Sequence, residues 1–176
     1  MKKLFIVFSV LALIVAPSFA REIAGAYVTV SPTNIPPGVS ELEFFVQNAS
    51  SDAEWIGHIG IVLPDCMTIV QGTDHYTDPD ASWYALPTFS IQAPNIGFWD
   101  GWTTSGYGFI GSTDNGYFYF SVDNACPCNT NQIIHWELQG DGWGSEPHFI
   151  EGDLDVFIEC VTAVETSTFS AVKALY

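Results

Sequence analysis

The apolar positions of this chain recur with a period of two. In "ELEFFVQN", Leu42, Phe44 and Val46 alternate with Glu41, Glu43 and Phe45; in "GYFYFSVD", Phe118, Phe120 and Val122 alternate with Tyr117, Tyr119 and Ser121. Successive side chains of an extended chain point to opposite faces, so each run reads as a strand with one face turned to a core. Similar runs occur in "AGAYVTVS", "EWIGHIGIVLP", "CMTIVQG", "NQIIHWELQ" and "DLDVFIECVT", giving seven strands with no convincing helix among them. Turn-forming segments such as "NIPPG", "DPDAS" and "QAPNIG" separate the runs, and "TDNG" predicts a hairpin turn with Asn115 and Gly116 at positive φ. The pattern predicts an all-β fold: a two-sheet antiparallel, immunoglobulin-like β-sandwich, with a jelly roll as the alternative strand order.

Helical spacing occurs in the closing "STFSAVKALY", where Phe169, Val172 and Tyr176 fall on one face behind a Ser167 or Thr168 cap. Residues 164–176 are therefore expected to be a C-terminal tail or short helix appended to a domain over residues 21–163. At the other end, Lys2 and Lys3 precede an apolar stretch from Leu4 to Val15 and a small-x-small pair, Ser18 and Ala20. Residues 1–20 thus read as a secretory signal peptide, too short in its apolar run to span a bilayer. The expected location is extracellular or cell-surface, with the periplasm as a further compartment that fits.

Cleavage after Ala20 leaves Arg21 and Lys173 against twenty carboxylates, a formal charge of 2 − 20 = −18. Nucleic acid is excluded as a partner, because phosphate binding needs clustered Lys and Arg. Four cysteines in an exported chain, Cys66, Cys126, Cys128 and Cys160, point to disulfides. Connectivity stays open: Cys126 and Cys128 in "ACPCN" can each reach a distant partner or close a small ring together.

Two stretches carry a family resemblance. "NASSDAEWIGHIGIVLPDCMTI" resembles modules of secreted bacterial proteins in which an N-x-S-x-D-x-E-aromatic segment leads into a strand ending in Leu-Pro. "STFSAVKALY" is similar to the C-terminal tail of such proteins. The departure is Asp65 followed by Cys66, where those modules usually carry glycine. The resemblance implies a non-catalytic, immunoglobulin-like β-sandwich belonging to a surface or exported protein, and it carries over no catalytic residues.

Candidate chemistry is sparse. "GYGFIG" matches G-x-G-x-x-G but lacks the following helix that a dinucleotide site requires. "HWE" places His135 and Glu137 on one strand face, opposite Ile134, Trp136 and Leu138, and lacks the ligand order of a zinc deaminase. Glu151, Asp153 and Asp155 alternate along a strand and, with Asp141, make a candidate calcium set. Like charges on an edge strand also block aggregation without any ion. The irregular segments "SWYALP" and "GFWDGWTTSGYG" gather Trp83, Tyr84, Phe98, Trp99, Trp102 and Tyr107; of these Trp99, Trp102 and Tyr107, with Trp143 of "GDGWGSEPH", are the candidates for stacking on a ligand. The expectation is a non-enzymatic secreted or cell-surface module with a binding, adhesion or structural role, taking an extracellular protein or polysaccharide as partner. The alternative is a carbohydrate-binding module, with calcium assistance, built on those aromatics; a hydrolase with unidentified acids is the third reading.

Overall fold

The computed structural model describes residues 23–50, 53–79, 81–143 and 146–160. The expected signal peptide and C-terminal tail lie outside the described residues. Eleven strands form in chain order: β1 (Tyr27–Ser31), β2 (Asn34–Ile35), β3 (Gly38–Gln47), β4 (Ile56–Val62), β5 (Met67–Ile69), β6 (His75–Thr77), β7 (Thr88–Ala93), β8 (Ile96–Asp100), β9 (Asn115–Asn124), β10 (Thr130–Gly140) and β11 (Phe149–Ile158). They make two sheets, and no helix occurs among the described residues. One sheet runs β1-β3-β9-β5 with β6 also paired to β9, and the other runs β2-β11-β10-β4-β8-β7. Every pairing is antiparallel except the two-residue parallel contact of β2 with β11.

The sheets stack because their alternating apolar faces have nowhere else to go. Leu42, Phe44 and Val46 of β3 pair in register with Phe120, Phe118 and Gly116 of β9 and present a fully buried face. Ile59 and Ile61 of β4, with Ile134 and Leu138 of β10, meet it from the other sheet. Burying one such side chain is worth roughly 1.5–3 kcal/mol, so this interleaved layer is the main stabilising term.

Trp99 lies in the middle of that layer, 1% exposed, packed on Phe44, Phe89, Phe118 and Phe120 at centroid distances of 6.5, 4.6, 5.2 and 5.5 Å. This corrects its assignment as a ligand-stacking residue: an enclosed indole has no face to offer. The irregular look of "GFWDGW" conceals β8, whose period-two pattern is Gly97 and Trp99 inward.

The "TDNG" turn also differs from expectation. Asn115 and Gly116 already belong to β9, while the turn lies earlier, over residues 111–114, with Asp114 N–H donating to the Gly111 carbonyl (3.0 Å) and Thr113 at φ 66°. Gly116 is instead needed for space, since a Cβ there would sit 2.3 Å from the Trp83 ring.

Both disulfides close one end of the sandwich. Cys66 joins Cys126 across the β5–β9 edge, and Cys128 joins Cys160 across the ends of β10 and β11, with Cα separations of 4.8 and 5.2 Å. Adjacent cysteines of "CPC" thus reach different partners. At the opposite end β3, β8 and β10 finish while β4, β9 and β11 begin, so the connecting loops converge there.

Candidate functional site

That loop end carries a file of four aromatic rings. Tyr84, from the loop before β7, lies 5.3 Å from Trp55, which precedes β4. Trp55 lies 6.0 Å from Tyr107 of the β8–β9 loop, and Tyr107 stacks on Trp143 of the β10–β11 loop at 5.9 Å with planes 20° apart. Each spacing falls in the range of favourable ring pairs. Tyr84 is 79% exposed and Trp143 59%, so the outer faces of the file are open to solvent.

Four loops from both sheets hold it, and backbone contacts fix them. Phe109 N–H donates to the Ile56 carbonyl at 2.8 Å, and Asp141 N–H to the Trp55 carbonyl at 2.9 Å. Gly108 allows the first approach, because a Cβ there would sit 2.3 Å from the Ile56 oxygen. Gly108 of "GYGFIG" is therefore required by the packing of the loop.

Beneath the file lies a small polar floor. Glu54 is fully buried; its Oε1 accepts from His148 Nδ1 at 2.8 Å, while Oε2 has no hydrogen-bond partner. Asp141 Oδ1 accepts from Trp143 N–H at 3.0 Å, and its Oδ2 is buried without a partner. Burial pushes the Glu54 carboxyl above the ordinary carboxylate range, against the opposing His148 hydrogen bond, and the nearby Asp141 adds to the rise. Asp141 is raised for the same first reason, offset by backbone N–H groups at Trp143 and Trp55. Gly140 makes room for Glu54, since a Cβ at that position would lie 2.0 Å from Oε1.

The resemblance segment supplies this floor. Asn48 and Ser50 are buried with Glu54, Asn48 Nδ2 donating to the Glu54 and Ile110 carbonyls (2.8 and 3.1 Å) and its Oδ1 accepting from Ser50 N–H at 2.9 Å. Its polar letters N-x-S and E are internal braces of the loop, and its aromatic, Trp55, is the second ring of the file.

Of the four aromatics named from sequence, Tyr107 and Trp143 meet in the file. Trp102 is 43% exposed and lies over Gly57 of β4, where a Cβ would come within 2.2 Å of the ring. Trp55 was not among the sequence candidates, whereas Tyr84 lies in "SWYALP", one of the two irregular aromatic-rich segments, without being singled out there.

The candidate calcium set does not assemble. Glu151, Asp153 and Asp155 share the outward face of β11 as expected, but Asp141 turns inward at the end of β10, beside Glu54. Among the described residues no group of three or more His, Cys, Asp or Glu side chains is placed to hold a metal ion. The strand carboxylates meet histidine instead: His135 Nδ1 lies 2.9 Å from Asp153, and Nε2 3.6 Å from Glu151. The Asp153 hydrogen bond raises the His135 pKa above its ordinary value. On the same outer face His58 lies between Asp100 (2.6 Å) and Glu137 (3.1 Å), the latter lying across Gly60. This is a set of acid–histidine contacts over β8, β4, β10 and β11, in a sheet that contains no Lys or Arg among the described residues.

No family model matches the chain, and no curated protein matches its sequence. Solved structures do match its fold. The collagen-binding subdomain of the Enterococcus faecalis surface protein ACE is similar over 75% of this chain and 95% of its own length, with 6% identity and a TM-score of 0.50. A variant of BcpA, the major pilin subunit of Bacillus cereus, is similar over 78% of this chain, with 9% identity and a TM-score of 0.51. This chain spans 41% of that pilin's length. The protein has an immunoglobulin-like β-sandwich fold. At such identity the likeness is one of fold, and function has to be argued from the site.

Proposed function

We propose that the protein is a non-catalytic, secreted or cell-surface module that binds an extracellular partner through the aromatic file at the loop end of the sandwich. The observation that carries this reading is the file itself: four rings from four loops, braced by backbone hydrogen bonds, with outer faces left open. Contiguous exposed aromatic area is uncommon on a soluble domain and marks interaction sites. The opposite end is tied by two disulfides, so the binding loops stand on a rigid support. The secreted location rests on the signal-like residues 1–20, and the pairing of all four cysteines supports an oxidising compartment.

Polysaccharide is the finer reading, since ring faces take the apolar faces of sugars and no Lys or Arg among the described residues favours an anion. The two bacterial surface neighbours make adhesion to a protein the other member of the same class. The test is retention of the oxidised mature protein on immobilised polysaccharides and extracellular-matrix proteins, compared with Tyr107→Ala and Trp143→Ala. Both side chains are exposed enough for the variants to fold. Retention by some matrix that drops at least tenfold in either variant supports the reading, and retention indifferent to both would sink it.

A further inference from the structure

An open pocket of ≈ 480 Å³ adjoins the Tyr84 end of the file, within the roughly 300–1,000 Å³ range of small-molecule sites. Trp55 and Tyr84 line it with aromatic rings, and Ser82, Thr113 and Asp114 are among its polar lining residues. We propose that this pocket is a subsite for one uncharged pyranose unit of a glycan, an inference that rests on the aromatic file being the binding surface.

Three observations converge on it. First, the chemistry of the walls is divided as a sugar is divided. Tyr84 offers a ring face, the Ser82 hydroxyl, its proton directed to Asp114, offers acceptor lone pairs, and the Thr113 hydroxyl can both donate and accept. Asp114 is held ready: its Oδ2 accepts from Ser82 Oγ and its Oδ1 from Asn115 N–H at 2.8 Å. A carboxylate has about four lone-pair directions, so further directions remain for sugar hydroxyls.

Second, the backbone around the pocket is held in an unfavourable conformation. Of the four non-glycine residues with positive φ among those described, Ala53 (77°) and Thr113 (66°) line the pocket, and Ala81 (52°) immediately precedes Ser82. Left-handed backbone at a β-branched residue is costly, and such residues cluster where a loop must present a particular surface.

Third, charge restricts the ligand. Among the described residues the pocket carries Asp114 and no cationic side chain. An anionic sugar would meet an uncompensated carboxylate. A lysine side chain would be attracted by Asp114, but an ammonium only donates and would leave the donor capacity of the Thr113 hydroxyl unused.

The experiment is calorimetric titration of the oxidised mature protein with methyl hexopyranosides, neutral oligosaccharides, a glucuronate oligosaccharide and a lysine-rich peptide. It is run on wild type, Tyr84→Ala, Asp114→Asn and Trp143→Ala. The expected result is binding of a neutral saccharide that Tyr84→Ala and Asp114→Asn each weaken at least tenfold at an unchanged melting temperature, with no binding of the glucuronate. The inference is overturned if no neutral saccharide binds, if the lysine peptide alone binds, or if saccharide binding survives both pocket variants. In that last case a loss in Trp143→Ala alone would leave the aromatic file standing as the binding surface and remove only the pocket; matrix retention indifferent to Tyr107→Ala and Trp143→Ala would remove both.

Discussion

Glu54 concentrates the physical tension of the molecule in one side chain. A buried carboxylate is stable only if paired, hydrogen-bonded or protonated, and within the described residues histidine is the only cationic side chain type. His148 takes one oxygen of Glu54 and leaves the other unpartnered, next to an Asp141 whose second oxygen is likewise orphaned. The space for this arrangement depends on Gly140. Gly140→Ala places a methyl group against Glu54 Oε1 and is expected to destabilise the fold by about 1–3 kcal/mol, read from denaturant midpoints. A midpoint within error of wild type would mean that Glu54 is held less tightly than the geometry requires. Glu54 was visible in the sequence only as part of "DAEW", since burial of an acid depends on loops that meet from 94 residues apart.

At the scale of elements, strands were the legible part. Leu42, Phe44, Val46, Phe118, Phe120 and Val122 alternate cleanly and are all fully buried, because one wet and one dry face leave a period of two in the sequence. The strands missed are short or half-covered: β2 has two residues, β6 three, and β7 shows no fully buried position. β8 was hidden because its outward residues, Phe98 and Asp100, are as aromatic or as turn-like as their surroundings. Loop aromatics defeated the sequence for a related reason. Trp83 and Tyr84 are neighbours, yet Trp83 stacks on Phe118 inside the core while Tyr84 points to solvent, and composition is blind to that difference. Removing a core ring tests the packing: Phe118→Ala is expected to cost about 3–5 kcal/mol by chemical denaturation. The disulfides enclose sequence separations of 60 and 32 residues, so replacing either pair with serine should lower stability by about 4 kcal/mol on the loop-entropy estimate. Since both bridges lie at the end remote from the aromatic file, the variants that still fold should bind as wild type does.

For the whole molecule, acidity sets the dependence on pH. The shifts at Glu54, Asp141 and His135 are all upward. For the two carboxyls the folded state holds a proton that the unfolded chain releases, so stability falls as pH rises from the ordinary carboxylate range through the raised values. For His135 the stabilising contribution is complete below its ordinary pKa and is lost as pH climbs through the raised one. Repulsion within a surface of net charge −16 over the full sequence weakens in the same acid direction. The melting temperature is therefore expected to be higher at about pH 5 than at about pH 8, with Glu54→Gln reducing the slope. A melting temperature that rises steadily over this interval would contradict the assignment.

The measurement that bears most directly on the binding claim is amide chemical-shift mapping of the mature protein during titration with a soluble form of whichever matrix retains it. Shifts concentrated at Trp55, Tyr84, Tyr107 and Trp143, with the disulfide end silent, are the predicted result. Shifts confined to the acid–histidine face of β4, β10 and β11, or to the disulfide end, would contradict the claim that this sandwich binds through its aromatic loop end.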